Sequence, residues 1–195
     1  MLKGKKVLLG VTASIAAYKT AELVRLFKKA GASVRVIQTE ASLAFIAPLT
    51  LATLSENPVL TKMVDTDSGV WSNHVELGLW ADMMVVAPLT ANTMAKMKSG
   101  ECDNLLLATY LSAKCPVFFA PAMDLDMYKH PSTKANISTL QEYGNILIPS
   151  GFGELASGLV GEGRMAEPSE IIESITAKLN NDLPLTNKKD FTERI

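Results

Sequence analysis

The stretch Val117-Phe118-Phe119-Ala120-Pro121-Ala122-Met123-Asp124-Leu125-Asp126-Met127-Tyr128 joins an apolar run to a loop that carries carboxylates and methionines. The run 117–120 has the composition of a strand that is buried on both faces of a parallel sheet. Ligands of open α/β sheets bind beyond the carboxyl ends of the strands, where loops carry function more often than packing. The loop 121–128 is therefore predicted to hold a ligand or to react with it.

Strand-like runs alternate with helical segments along the rest of the chain. The predicted strands are 6–11, 34–39, 82–88, 116–120 and 145–149, and the predicted helical segments are 16–30, 50–54, 90–97, 103–113, 133–143 and 168–179. Such alternation predicts a doubly wound parallel sheet with helices on both faces, a three-layer α/β/α fold. We expect one domain over residues 1–179 and a polar, linker-like tail over residues 180–195.

The composition limits the classes of partner that the chain can have. The 195 residues are 48% hydrophobic and 20% charged, and the net charge is −1. A chain without a basic excess is not expected to bind nucleic acid or an anionic membrane. No apolar run reaches the roughly 20 residues of a membrane-spanning helix. Cys102 and Cys115 lack metal-ligand spacing, so we expect no metal site and a reduced, cytoplasmic protein.

The turn after the first strand, from Gly10 to Lys19, is small and hydroxyl-rich and leads into a helical segment. It contains neither the G-x-G-x-x-G pattern of dinucleotide-binding folds nor the G-x-x-x-x-G-K-[ST] pattern of P-loops. The second strand ends in Thr39 rather than in an acidic residue that binds a ribose, which favours a mononucleotide phosphate over NAD. Ser14 can either bind that phosphate or only cap the helix.

A second turn rich in hydroxyl and amide groups, Ala87 to Lys96, follows the third predicted strand. Its Thr90, Asn92 and Thr93 can bond a phosphate or the polar edge of a ring, or Thr90 or Asn92 can only cap the following helix. Parallel strands end at the same edge of a sheet, so two such turns together favour one shared ligand.

The chain has two histidines. His74 lies in Val70-Trp71-Ser72-Asn73-His74-Val75-Glu76-Leu77, just before the third predicted strand, and it can act as a base near neutral pH. A structural role is the alternative for a lone histidine. His130 follows the acidic loop, next to Pro131, and is predicted to be an exposed surface residue.

These motifs together resemble those of the flavin-dependent cysteine decarboxylases, which include phosphopantothenoylcysteine decarboxylase, its plant relatives and the lantibiotic-modifying enzymes. The resemblance extends from Lys6 to Pro168. It rests on matches in chain order at the turn 10–19, at His74 with Val75 and Leu77, at Ala87-Pro88-Leu89-Thr90-Ala91-Asn92-Thr93, at Pro121-Ala122-Met123-x-x-x-Met127-Tyr128, and at Gly158-Leu159-Val160-Gly161-Glu162-Gly163-Arg164-Met165. The last match is similar to a mobile flap that closes over the substrate.

The resemblance implies a flavodoxin-like fold that binds FMN, and a homotrimer or larger trimer-based assembly with FMN at the subunit interface. It implies FMN-dependent decarboxylation of 4'-phosphopantothenoylcysteine to 4'-phosphopantetheine in coenzyme A biosynthesis. The bacterial enzyme is usually the N-terminal half of a bifunctional protein, and the tail 182–189 is similar to the join to its synthetase half. We therefore expect the chain to be truncated before a synthetase domain.

Three other activities stay open at this point. The first is oxidative decarboxylation of a peptidyl cysteine, although the linker-like tail disfavours it. The second is a non-catalytic regulatory subunit with an FMN-binding fold, which usually carries a long acidic tail. The third is a flavin prenyltransferase, which would not need the His74 motif or the loop from Met123 to Met127.

The resemblance also assigns roles to individual residues. His74 is implied as the catalytic base, Asp124 as the residue that contacts the substrate carboxylate, and Ser157 as the flap residue at the position of the proton donor. The implied FMN-binding residues are Gly10, Thr12, Ser14, Ile15, Thr39, Phe45, Thr90, Ala91, Asn92, Thr93 and Met123. The implied substrate-binding residues are Asn73, Asp124, Met127, Ala156, Ser157, Arg164 and Met165.

The chain departs from the family pattern at two of these positions. Asp124 replaces an asparagine, and a carboxylate beside a substrate carboxylate repels it unless one of them is protonated or a cation intervenes. Ser157 replaces the cysteine of the flap, and serine is a far weaker acid than cysteine. We expect either that Ser157 relays a proton from water or that the reaction stops at the enethiol.

Overall fold

A six-stranded parallel sheet forms the centre of the protein, whose computed structural model describes residues 2–67 and 69–181. The strands of this sheet are β1 (Lys6–Val11), β2 (Ser33–Gln38), β3 (Val59–Leu60), β4 (Met83–Leu89), β5 (Val117–Pro121) and β6 (Ile146–Leu147). Their spatial order is β3-β2-β1-β4-β5-β6. The order reverses between β1 and β4, and open α/β sheets bind ligands at such a switch point.

Helices cover both faces of the sheet. They are α1 (Thr20–Lys29), α2 (Pro48–Ser55), α3 (His74–Trp80), α4 (Ala91–Ser99), α5 (Leu105–Ser112), α6 (Leu125–Lys129), α7 (Pro131–Glu142) and α8 (Pro168–Asn181), with short 3-10 turns at Ile15–Lys19 and Glu40–Ala44. The predicted three-layer α/β/α, flavodoxin-like, doubly wound fold is confirmed. Within the described residues, no helix is long and apolar enough to cross a membrane.

Alternate side chains of the central strands divide the core into two layers. Val7 and Leu9 of β1 pack with Phe27 of α1 and with α2 and α8, whereas Leu8 packs with Leu106 of α5 and with α3, α4 and α7. Side chains of a strand point alternately to opposite faces, so each central strand contributes to both layers. These strands are apolar throughout because neither face meets water.

A small antiparallel hairpin lies apart from the central sheet. It consists of β7 (Gly151–Glu154) and β8 (Val160–Arg164), and its five-residue connection 155–159 contains Gly158, whose φ is +85°. A glycine in the left-handed region is usual in such hairpin connections. The flap predicted at 158–165 therefore contains one strand of a hairpin, β8. The other strand, β7, has no clear alternating pattern in the sequence.

Five strands and helices of the fold were not predicted from the sequence. They are the two-residue strand β3, the helix α3 that begins at His74, the short helix α6 within the predicted loop 121–128, and the hairpin strands β7 and β8. Helix α8 continues to Asn181, two residues beyond the predicted end of the domain. The remainder of the predicted tail, 182–195, lies outside the described residues, so the linker and the truncation stay predictions.

Candidate active site

A cavity of about 700 Å³ opens at the carboxyl edge of the sheet, at the switch point between β1 and β4. Its floor consists of the loops 12–19, 88–93 and 121–127, and its roof is the hairpin 151–164. The predicted site residues that line it are Ser14, Ile15, Thr90, Ala91, Asn92, Met123, Asp124, Met127, Ala156, Arg164 and Met165. Residues from four separate segments of the chain therefore meet at one place.

A second cavity of about 550 Å³ adjoins the first and shares Ala13, Thr90 and Asn92 with it. The predicted residues Thr39 and Thr93 line this second cavity. Their hydroxyl groups lie there with the side chains of Glu40, Lys62, Lys96 and Asp103. The two cavities together offer an apolar part and a part that is rich in hydrogen-bond donors.

The charge of Lys96 in the second cavity is stabilised by Asp103. The hydrogen bond that Nζ of Lys96 donates to the carboxylate of Asp103 is the largest influence on this lysine and raises its pKa above the usual value, although partial desolvation opposes the shift. Lys96 is therefore a cation throughout the neutral range, which suits a site for an anionic group.

The floor loops after β1 and β4 are joined through Thr12. Its buried Oγ1 donates a hydrogen bond to the carbonyl of Pro88 at 2.6 Å and accepts one from the N–H of Thr90 at 3.1 Å. The hydroxyl thus fixes the distance between the two loops. A contact of Thr12 with the cofactor stays a prediction.

Gly10 serves the packing of the floor from beneath. A Cβ atom on Gly10 would lie 2.9 Å from Cδ1 of Leu106 in α5, closer than real side chains approach. The absence of a side chain thus allows α5 to lie against β1. Gly10 does not line either cavity, so its predicted contact with the cofactor is not tested by this arrangement.

Ser14 and Thr90 do cap helices, whereas Asn92 lies inside α4. Ser14 accepts a hydrogen bond from the N–H of Ala16 at 3.2 Å, and Thr90 accepts one from the N–H of Thr93 at 3.3 Å. Capping satisfies N–H groups at the start of a helix and leaves the rest of the hydroxyl available. Since both residues also line the cavity, the capping and ligand-binding interpretations are compatible.

The roof contacts the floor through two glycines of β8. The N–H of Met123 donates to the carbonyl of Gly163 at 3.0 Å, and a Cβ atom on Gly163 would overlap the carbonyl oxygen of Met123. A Cβ atom on Gly161 would likewise overlap the side chain of Leu125. The close approach of the hairpin to the acidic loop therefore requires glycine at position 163, and Gly161 leaves room for the side chain of Leu125.

Asp124 lies between the roof and the floor. It is half-buried, it caps α6, and its Oδ1 accepts a hydrogen bond from the N–H of Leu125 at 2.7 Å. Within the described part of the chain, Oδ2 of Asp124 has no hydrogen-bond partner. One oxygen of this carboxylate is thus held in place while the other remains available to a ligand in the cavity.

Two cations of the cavity share one carboxylate. The buried Lys19 donates from Nζ to Oε1 of Glu167 at 2.7 Å and to the carbonyl of Met165 at 3.4 Å. Nη2 of Arg164 lies 3.3 Å from the same Oε1. Glu154 of the roof also lines the cavity, so Lys19, Arg164, Asp124 and Glu154 form its charged lining.

Three charged residues of the site were not predicted from the sequence, namely Lys19, Glu154 and Glu167. Lys19 falls inside the turn 10–19, but its partner Glu167 lies 148 residues further along the chain. No local pattern relates two positions that far apart. A charged residue at the apolar start of a helix was the only available signal.

His74 does not reach the cavity within one chain. It begins α3, which is capped by Asn73, whose Oδ1 accepts from the N–H of Val75 at 3.1 Å. Its Nδ1 is buried without a partner among the described residues, and its ring packs edge-on against Trp71 with 6.1 Å between centroids. The roles of Asn73 and His74 in binding and catalysis remain predictions.

Two further predicted residues also lie outside both cavities. Phe45 is 44% exposed and follows the 3-10 turn Glu40–Ala44. Ser157 is exposed at the tip of the hairpin, where its Oγ accepts a long hydrogen bond of 3.5 Å from the N–H of Leu159. The neighbouring Ala156 lines the cavity, but the side chain of Ser157 does not.

Comparison with protein families gives a match over nearly the whole described chain. The family model described as Flavoprotein matches residues 1–180. A prokaryotic cysteine/cysteine sulfinic acid decarboxylase is 54% identical over 149 residues, which cover 76% of this chain and 40% of that protein. The coenzyme A biosynthesis bifunctional protein CoaBC of Haemophilus influenzae is 42% identical, covering 90% of this chain and 44% of that one. The chain thus spans less than half the length of these curated relatives.

Solved structures give matches of full length. A cysteine-to-serine mutant of PPC decarboxylase, complexed with pantothenoylaminoethenethiol, has a TM-score of 0.81 and 36% identity, covering 91% of this chain and 100% of its own. The FMN binding protein AtHal3 has a TM-score of 0.78 and 35% identity, covering 92% of this chain and 98% of its own. By sequence, fold and site, the chain belongs to the flavoprotein family and, within it, to the flavin-dependent cysteine decarboxylases.

Proposed function

We propose that this protein is the FMN-dependent enzyme that decarboxylates phosphopantothenoylcysteine to phosphopantetheine in coenzyme A biosynthesis. One observation carries this proposal: the loops after β1, β4 and β5 and the hairpin 151–164 meet around one cavity, and they bring together four separate motifs of the decarboxylases. The full-length likeness to a PPC decarboxylase and the identity to CoaBC proteins support the same substrate.

The two adjoining cavities fit FMN in the chemistry of their linings. Hydroxyl and amide groups of Ser14, Thr39, Thr90, Asn92 and Thr93, together with the N-terminal end of α4, would hold its phosphate and polar edges. The apolar side chains of Ile15, Met123 and Leu155 would lie against its ring system. When bound, FMN supplies two-electron oxidation and reduction of the sulfur-bearing carbon.

The residues of the chain orient the substrate and exclude water. The roof covers the cavity from above, and its docking at Met123 brings Leu155 and Ala156 over the floor. Asp124 faces the position of the substrate carboxylate, and Lys19 and Arg164 share the carboxylate of Glu167. A closed, water-poor site strengthens these electrostatic interactions.

Assembly into a trimer, or a larger assembly of trimers, is the proposed quaternary structure. Apolar side chains are exposed on two different surfaces, one at the cavity mouth with Ile15 and Tyr18 and one beside His74 with Trp71, Val75 and Leu79. Two unlike surfaces that meet head to tail close into a ring. In such a ring, His74 of one subunit would complete the cavity of the next.

A mixing experiment tests this assembly. His74→Ala and Met123→Arg should each be inactive alone, because one lacks the base and the other blocks the cavity. Co-refolded mixtures should regain activity, since some interfaces combine an intact His74 with an intact cavity. Native mass spectrometry should give a trimer or a multiple of it, and mixtures without regained activity would place His74 and the cavity in the same subunit.

Decarboxylation of cysteine itself is the second candidate function. Among the matches described above, the relative with the highest identity is the cysteine/cysteine sulfinic acid decarboxylase. Asp124 is a carboxylate where the family pattern has an asparagine, and a carboxylate can pair with the free ammonium group of cysteine. Phosphopantothenoylcysteine lacks that ammonium group, because its cysteine nitrogen is an amide.

Turnover of the two substrates distinguishes these functions. Purified protein should show a flavin absorption spectrum and release carbon dioxide from phosphopantothenoylcysteine, with a kcat/KM at least about 100-fold above that for cysteine, which corresponds to about 2.7 kcal/mol. The reverse ratio would select cysteine as the substrate. A protein that binds FMN but releases no carbon dioxide from either substrate would fit a regulatory subunit instead.

The cellular setting of the enzyme is proposed on the same grounds. The names of the CoaBC relatives include coenzyme A biosynthesis, which favours a cytoplasmic location for this protein. We also propose that the natural protein continues into a synthetase domain, since the CoaBC relatives are more than twice as long as the matched region. Expression of the complete gene and measurement of cysteine ligation to phosphopantothenate would test this extension.

A further inference from the structure

The position of the proton donor is the open question of the proposed reaction. The cysteine that is implied for this step in the family is Ser157 here, and Ser157 lies at the exposed tip of the hairpin outside the cavity. A PPC decarboxylase in which a cysteine is replaced by serine holds pantothenoylaminoethenethiol, an enethiol. Serine is a far weaker acid than cysteine, so the chain needs another acid for this step.

We propose that Asp124 is that acid and protonates the carbon from which carbon dioxide has left. This inference rests on the proposed function and assigns a second task to the residue that faces the substrate carboxylate. Asp124 lines the cavity, and its Oδ1 is fixed by the N–H of Leu125 at 2.7 Å. Its Oδ2 is directed to no partner among the described residues and is free to carry the proton.

The balance of the reaction requires one proton at this carbon. Loss of carbon dioxide leaves the electron pair of the broken carbon–carbon bond on the substrate, as an enethiolate. Asp124 transfers its proton to the carbon of that broken bond, which converts the enethiolate into the thioaldehyde. The hydride removed before decarboxylation would return to the sulfur-bearing carbon from reduced FMN, and the sulfur would regain the proton that it lost at the oxidation. Water would then restore the proton to Asp124. The net change is the replacement of a carboxylate by a hydrogen.

The position of Asp124 suits this transfer because a residue that contacts the substrate carboxylate also lies close to the carbon that carries it. A residue in contact with the leaving carboxylate lies next to the carbon that must be protonated once carbon dioxide departs. The backbone around Asp124 is held on both sides, by α6 and by the docking of Gly163 on Met123. Fixed placement of a general acid within hydrogen-bond reach is what this kind of catalysis requires.

The proposed substrate brings a second carboxyl group into contact with Asp124. Two carboxyl groups in contact cannot both be ionised, so they share one proton. The other titratable groups that line the cavity are Lys19, Arg164, Glu154 and Tyr18, and Glu167 already pairs with both cations. No free cation among the described residues stands beside Asp124 to neutralise a second carboxylate, which favours proton uptake.

Product analysis tests the assignment directly. The wild-type protein should release the thiol, whereas Asp124→Asn should accumulate the enethiol, whose mass is two hydrogens lower, with release of the thiol reduced at least about 100-fold. The double variant Asp124→Asn with Ser157→Cys should regain thiol release within about tenfold of the wild type, because it restores the family's arrangement. Asp126→Asn, an exposed carboxylate on the same short helix, is the matched control and should release the thiol.

A binding measurement gives a readout that does not depend on turnover. Calorimetry with phosphopantothenoylserine, which lacks the thiol, should show uptake of about one proton by the wild type and none by Asp124→Asn.

Several outcomes would overturn the assignment. Enethiol as the wild-type product would show that no acid completes the reaction, and accumulation of enethiol by Ser157→Ala but not by Asp124→Asn would assign the proton to Ser157. Equal proton uptake by wild type and Asp124→Asn would show that Asp124 shares no proton with the substrate. Failure of the proposed function looks different, since it gives no carbon dioxide from phosphopantothenoylcysteine with any variant.

Discussion

The floor and the roof of the cavity are built in different ways. The floor loops extend from β1, β4 and β5, whose residues are almost all buried, and Thr12 joins two of them inside the protein. The roof is a hairpin with exposed side chains, Phe152 among them at 74% exposure, and it rests on the floor through two glycines. One part derives its position from the core, and the other from a few close contacts.

This difference indicates separate roles for the two parts. A floor fixed by the core can hold the cofactor and the substrate carboxylate at constant positions, as preorganised sites require. A roof with few buried apolar contacts opens at low free-energy cost, which is typical of active-site lids. Substitutions in the floor should therefore affect folding stability, whereas substitutions in the roof should affect turnover.

The largest effect is expected for a pair of phenylalanines, one in each part. Phe118→Ala removes a fully buried side chain of β5 and should lower the free energy of unfolding by about 3–5 kcal/mol. Phe152→Ala, in β7, should change it by less than about 0.5 kcal/mol, because the side chain is already in water. Urea denaturation measures both, and equal losses would contradict the distinction between floor and roof.

A substitution at Gly163 should separate turnover from stability. Gly163→Ala places a Cβ atom against the carbonyl of Met123, so the roof can no longer dock, and kcat/KM should fall about 100-fold. The thermal midpoint should change little, because the core is untouched. Gly100→Ala is the matched control, since this glycine also has a positive φ of 77° but meets no atom within 4 Å and lies away from the cavity. A similar loss of turnover in the control would contradict docking as the cause.

Removal of the Thr12 hydroxyl tests how the floor is held. Thr12→Val keeps the shape of the side chain but leaves the carbonyl of Pro88 and the N–H of Thr90 without their partner, at a cost of about 1–3 kcal/mol. Thr12→Ser should restore most of that stability. Flavin content measured beside the unfolding curve provides the check: a loss of FMN without a loss of stability would make Thr12 a cofactor contact instead.

The smallest effect is expected where the floor and the roof meet through charge. Glu167→Gln removes the negative charge that pairs with the buried ammonium of Lys19, and should cost about 1 kcal/mol because water reaches the half-exposed side chain of residue 167. Glu40→Gln breaks an exposed pair with Lys62 at 3.9 Å and should cost less than about 0.5 kcal/mol. Equal costs in thermal unfolding would show that burial of Lys19 is unimportant.

The strands and the floor turns were predictable because their signals are local. Continuous apolar runs located β1, β4 and β5 within about one residue, and the hydroxyl-rich turns after β1 and β4 located Ser14, Thr90 and Asn92 at the cavity. Both kinds of signal depend on neighbouring residues only. The hairpin escaped prediction because β7 is a short run of glycines and exposed side chains, which lacks the apolar alternation of a half-buried strand.

The sequence by itself determined the layered α/β/α fold, the chemical character of the turns, and the two departures at Asp124 and Ser157. Tertiary structure alone decided that Asp124 lies inside the cavity while Ser157 lies at an exposed tip, that Lys19 shares Glu167 with Arg164, and that His74 stays outside. The reason is physical: periodicity reports which face of an element is buried, whereas a site is formed by contacts between segments that are far apart in the chain.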